Sequence, residues 1–220
     1  MERSLSGRRP VTSGAYLRGA RIQRSAPWLP LLGAAGVATM LLLIAALAHR
    51  TGVAPVVTLL GLSTCGGAAA YILDEESAAV LDATPTSRGR RVLWRLPLLA
   101  VPATVALTGL FLLDRLDGSA HWLRLGPLAL GSLAIGVALA AALRREGMGT
   151  PGDLAGVIVV VGVVLLVAAD PLRHWVSVIP LGDAARSGRS VLLWTAVFAA
   201  SAVVTFACCR DPAHRGRTRA

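Results

Sequence analysis

Residues 28–48 read WLPLLGAAGVATMLLLIAALA, without an Asp, Glu, Arg or His among them. A helix needs about 20 apolar residues to cross a hydrocarbon core about 30 Å thick. With no water there to satisfy open backbone, such a run has to be helical. Five further runs follow, Val53 to Leu73, Leu93 to Leu113, Pro127 to Leu143, Leu154 to Ala169 and Val191 to Cys209. Arg95 alone brings a charge into any of them, and near the start of its run its side chain can snorkel to the headgroups. The pattern predicts an all-α polytopic membrane protein with six transmembrane helices in 28–209, a basic arm before them at 1–27 and a basic tail at 210–220.

Composition agrees. Of the 220 residues, 55% are hydrophobic and only 15% charged, and the mean hydropathy is +0.65. Soluble domains carry about 25% charged residues. All 22 basic residues are Arg, with no Lys and no Asn anywhere, a bias of the kind that GC-rich coding produces. Without Lys, neither a phosphate-binding G-x-x-x-x-G-K-[ST] loop nor Schiff-base chemistry can be built.

The arginines also set an orientation. Sixteen of the 22 fall before the first run, in the second linker or at the start of the run after it (Arg95), in the fourth linker, or in the tail; the six others, Arg50, Arg115, Arg124, Arg173, Arg186 and Arg189, fall on the opposite side. By the positive-inside rule both termini are cytoplasmic. A net charge of +10 therefore reads as topology and contact with anionic lipid, with no nucleic acid as partner. Ala46-Leu47-Ala48 has the look of a signal-peptidase site, whose use would leave five spans, but the preceding apolar run is longer than the 7–15 residues usual for a signal. The run ending at Ala169 is the shortest, and the apolar stretch His174 to Leu181 beyond it is either an interfacial or re-entrant part of an outer segment at 170–190 or an ordinary loop.

Residues for catalysis are missing from the spans. His49, His121, His174 and His214 all lie in loops or the tail, so no facing pair can ligate haem or a metal. Gly61-Leu62-Ser63-Thr64 resembles the G-x-S-G of intramembrane serine proteases but has no His base, and Glu75-Glu76 lacks the Arg of membrane-embedded prenyl-protein proteases. Neither enzyme, cofactor nor metal site is expected. Cys65, Cys208 and Cys209 read as small apolar filler. Asp74, Asp114 and Asp170 end their spans, where they suit the interface better than an ion relay. The small residues Ser63 and Gly67, Gly131 and Gly136, and Gly156 and Gly162 let helices approach, within the bundle or at a dimer face. No internal repeat is visible.

The linker 74–92 carries the most information. Asp74 can cap a helix with Glu75 and Glu76 in its first turn, Ala78, Ala79, Val80, Leu81 and Ala83 make that helix half apolar, and Pro85 stops it. Arg88, Arg90, Arg91 and Arg95 then lead into the third run. This is either an amphipathic helix lying on the membrane surface, with Arg90 and Arg91 on lipid phosphate, or a solvated acidic-then-basic turn.

Leu81-Asp82-Ala83-Thr84-Pro85-Thr86-Ser87-Arg88, between a second and a third span, resembles the L-x-A-T-P-V-S-R segment of type-2 ABC exporter permeases. Upstream, Glu76-Ser77-Ala78-Ala79 stands where that family has E-x-G-T, and Trp94-Arg95 where G-K often follows. The resemblance implies a multi-pass subunit of a bacterial plasma membrane, paired with a second permease or a second copy and driven by a separate ABC ATPase. It implies that Glu76, Val80, Leu81, Thr84, Pro85 and Arg88 form the surface that docks on the ATPase. Neutral residues such as Thr39, Thr58, Ser63, Thr104 and Thr108 would line the path, which suits lipid-like or amphiphilic cargo. A reading from another class is a non-transporting membrane anchor that recruits a cytoplasmic partner.

Overall fold

A computed structural model describes residues 27–48, 50, 52–74, 88–117, 121–169 and 184–209. Among them the regular structure is entirely helical. We number the α-helices α1 (Trp28–Leu47), α2 (Ala54–Ala70), α3 (Arg88–Arg95), α4 (Ala100–Asp117), α5 (His121–Arg145), α6 (Pro151–Ala169) and α7 (Ala184–Cys209). A 3₁₀ turn, Tyr71–Leu73, prolongs α2, and another, Leu96–Leu99, joins α3 to α4.

Among the described residues five helical stretches are long and apolar enough to cross a membrane: Trp28–Leu47, Ala54–Leu73, Arg91–Leu116, Leu123–Arg145 and Gly188–Cys209. The stretch Pro151–Leu166 is apolar but shorter, and its 16 residues measure about 24 Å at about 1.5 Å per residue. Leu29, Leu47, Leu107, Leu192, Val203 and Phe206 turn large apolar side chains outward, as lipid-facing residues do and as residues in water rarely do in such density. The molecule is a membrane-type helical bundle.

The helices depart from the sequence-predicted runs at their ends. The third run is not one continuous α-helix: Pro97 lies in the 3₁₀ turn Leu96–Leu99, where its missing N–H and its ring bar an unbroken α-helix. The fourth begins at His121 with Pro127 inside it, and the last begins at Ala184. Both take polar residues such as Arg124 and Arg189 into turns that precede the apolar run.

Helix α2 occupies the centre, packed against α1, α5 and α6. Its small residues make this possible. A Cβ on Gly66 would stand 2.5 Å from the Ser132 carbonyl oxygen, and one on Gly136 would meet the Gly66 carbonyl oxygen at 1.9 Å, so α2 and α5 touch backbone to backbone. On another face, a Cβ on Gly67 would lie 3.4 Å from the Gly156 Cα. The Ser132 hydroxyl crosses the first contact to donate to the Leu62 carbonyl at 3.1 Å. Gly131 accepts the Trp194 ring from α7, with only 2.7 Å left for a Cβ. These small residues serve packing within the bundle, as the small-residue spacing allows. Gly162 is the exception, with nothing within 4 Å of its would-be Cβ.

Candidate functional site

Each α-helix leaves its last carbonyls without partners in its own backbone. At the end of α2 those carbonyls belong to the Tyr71–Leu73 turn and Asp74, and other helices satisfy them. Arg95 Nη1 donates to the carbonyl oxygens of Asp74, at 2.5 Å, and Ile72, at 3.3 Å. Arg144 Nη1 donates to the carbonyl oxygen of Leu73. Two guanidinium groups, one from the third membrane-crossing stretch and one from the end of α5, thus stand at the negative end of α2, where its dipole favours positive charge.

The side chain of Asp74 works in the opposite sense. Its Oδ1 accepts from the Gly152 backbone N–H at 2.6 Å, in the first turn of α6, where N–H groups are unsatisfied and the dipole favours an anion. Asp74 is 4% exposed. Burial pushes its carboxyl up to about 6, and the nearby Asp153 charge adds to this, while the Gly152 hydrogen bond and the Arg144 and Arg95 charges oppose it. Gly152 has to be glycine, since a Cβ would lie 2.5 Å from Asp74 Oδ2 and 2.7 Å from Tyr71 Cδ1.

Next to this junction lies a narrow cleft of about 20 Å³, lined by Leu73, Arg91, Val92, Arg95, Ala141, Arg144, Arg145, Cys208 and Cys209. The ends of α2, α5 and α7 and the starts of α3 and α6 therefore meet at one end of the bundle. Helix α3 comes close enough to α7 that a Cβ on Gly89 would lie 3.3 Å from the Cys209 carbonyl oxygen.

Arg91 and Arg95 do not stand where the sequence puts them. Arg95, expected to snorkel outward, is 1% exposed and points into the bundle, because the open carbonyls of α2 offer charge-assisted hydrogen bonds there. Arg91, expected on lipid phosphate at the surface, is 6% exposed and lines the cleft. Asp74, expected to cap a helix in its own linker, binds the first turn of α6, and residues 75–87 of that linker lie outside the described residues. Arg88 and Arg90 belong to α3. Glu76, Val80, Leu81, Thr84 and Pro85 lie outside the described residues, as do residues 1–26 of the arm, the tail and residues 170–183 of the outer segment.

Of the neutral residues expected along a path, Thr39, Thr104 and Thr108 share a cavity of about 160 Å³ between α1 and α4. Thr58 and Ser63 are instead buried in α2, where they donate to the carbonyls of Ala54 and Leu60. Among the described residues no group of three His, Cys, Asp or Glu side chains is placed to hold a metal ion.

Sequence reasoning missed the partnership of Asp74, Arg95, Arg144 and Gly152. The available signal was Arg95 itself, since a charge inside an apolar run marks a polar partner in the bundle. Family models, curated proteins and solved structures provide no match to this chain.

Proposed function

We propose that the chain is the membrane-spanning subunit of an exporter powered by a separate ABC-type ATPase, with six spans and both termini in the cytoplasm of a bacterial cell. The observation that carries this reading is the anchoring of Asp74, the first residue of the linker. Its backbone carbonyl and carboxyl tie the linker's origin to α3 and α6, and Arg144 of α5 holds the residue before it. A push delivered to the linker would therefore reach several spans at once and would not be absorbed by a loose loop. Sixteen arginines on the linker side supply the orientation. The linker segment Leu81 to Arg88, similar to that of type-2 ABC exporter permeases, supplies the ATPase. The shared cavity of Thr39, Thr104 and Thr108 is a neutral, mildly polar surface of the kind that suits amphiphilic cargo.

The test asks whether an ABC-type ATPase co-purifies with this chain in detergent, and pull-downs then use that partner. Burying Leu81 on a partner is worth about 1.5–3 kcal/mol, so Leu81→Asp should weaken the complex at least tenfold. Arg90→Gln should keep the partner. Both variants should still insert in the membrane, and the chain alone should neither bind nor hydrolyse ATP. Full binding and full ATPase stimulation by Leu81→Asp would remove the docking role of the linker. Absence of any ATPase partner would leave a membrane anchor.

A further inference from the structure

The arginine cleft shares wall residues with a neighbouring space. Val92 and Cys209 line both the cleft and a second, larger space, an apolar groove of about 700 Å³ between α3, α4, α5 and α7. Leu96, Ala103, Leu133, Val137, Ala202 and Phe206 are among its walls. We propose that cleft and groove together form one binding site for an acidic phospholipid, taken from the leaflet at the linker end of the bundle.

The argument is one of shape and charge. The described lining of the cleft holds four guanidinium groups, those of Arg91, Arg95, Arg144 and Arg145, and no carboxylate. The acid beside it, Asp74, accepts from Gly152 and shares its charge between Arg95 and Arg144, which also donate to the carbonyls of α2. Basic pockets between membrane helices hold acidic lipid headgroups, and Arg meets phosphate through short charge-assisted hydrogen bonds. The cleft, at about 20 Å³, has room for about one water-sized atom, so it admits a single phosphate oxygen. The rest of the headgroup stays at the mouth, where Arg145 is exposed. The groove starts where the guanidinium groups stop, and its walls are almost wholly apolar side chains. Such a pairing fits an amphiphile with its anionic end on the arginines and an acyl chain against α5 and α7. A free inorganic anion would use the cleft and leave the groove without a role. The site requires membrane embedding and is independent of the ATPase.

Binding of phosphatidylglycerol, phosphatidylcholine with the same acyl chains and glycerol 3-phosphate should be compared on the full chain in detergent, by titration and native mass spectrometry. One phosphatidylglycerol should bind per chain, at least tenfold more tightly than either of the others. Ala202→Trp fills the groove from an exposed position; it should weaken phosphatidylglycerol at least tenfold with the melting temperature of the lipid-free chain unchanged. Arg145→Gln should narrow the preference for phosphatidylglycerol over phosphatidylcholine. Equal binding of the two lipids, wild-type binding by Ala202→Trp, or an undiminished preference in Arg145→Gln would overturn the site. Glycerol 3-phosphate binding as tightly as phosphatidylglycerol would reduce it to an anion cleft and overturn the lipid assignment.

Discussion

The carboxylate of Asp74 and the backbone N–H of Gly152 meet at 2.6 Å across 78 positions of sequence, and the contact joins the end of one helix to the start of another. Asp74 does for α6 what a local N-cap residue does for an ordinary helix. Pro151, which opens α6, leaves that first turn one N–H fewer to satisfy. The bond also holds α2 and α6 in register at the end of the bundle where Arg95 and Arg144 close the carbonyls of α2.

Gly152→Ala tests the closeness of that contact. The new Cβ would fall 2.5 Å from Asp74 Oδ2, so the carboxylate has to move and its hydrogen bond is lost. Overpacking of this kind costs about 1–3 kcal/mol. Gly162→Ala, where nothing lies within 4 Å of the new Cβ, should gain up to about 1 kcal/mol from helix propensity. Thermal unfolding of the two variants in one detergent should therefore shift in opposite directions.

Arg95 should be the least replaceable basic residue of the described chain. Arg95→Leu keeps bulk but leaves the Ile72 and Asp74 carbonyls unsatisfied in a buried place, at about 1–3 kcal/mol for each group. Arg145→Gln, on an exposed side chain, should stay within about 0.5 kcal/mol. Equal unfolding temperatures for the two variants would show that the guanidinium of Arg95 does not hold α2.

Stability should also follow the ionisation of Asp74. Its pKa stands at about 6, above the ordinary 3.8, so between these values the folded chain holds a proton that the unfolded chain has released. Stability attributable to this group therefore falls as pH rises from about 4 to about 6 and is level above that. Asp74→Asn keeps an acceptor oxygen for Gly152 and does not titrate. The stability of the wild type minus that of Asp74→Asn should decline across the window, and a flat difference would contradict the burial of the charged form.

Topology reporters check the reading of the arginines. Fusions after Ala220 and near Ser87 should report cytoplasm and one near Gly118 the opposite side, as the distribution of the 22 arginines requires. An external signal at Ser87 would reverse the orientation.

Sequence by itself determined that this chain is a bundle of membrane-type helices. Apolar runs such as residues 28–48 have one solution for their backbone when water is absent, and no tertiary contact is needed to read them. Element ends were less legible, because mixed turns such as His121 to Gly126, which carries Arg124 among apolar residues, extend a helix past the apolar run that announces it. Only the tertiary structure decided which helix lies at the centre and what the charges at its end do. Local sequence makes Asp74 a cap for the next segment and Arg95 a headgroup ligand. In the fold the open carbonyls of α2 take the Arg95 guanidinium and the open Gly152 N–H of α6 takes the Asp74 carboxylate, out of water, where a charge-assisted hydrogen bond is stronger and an unsatisfied group costs more. That preference depends on residues 21 to 78 positions away, and no local pattern encodes it.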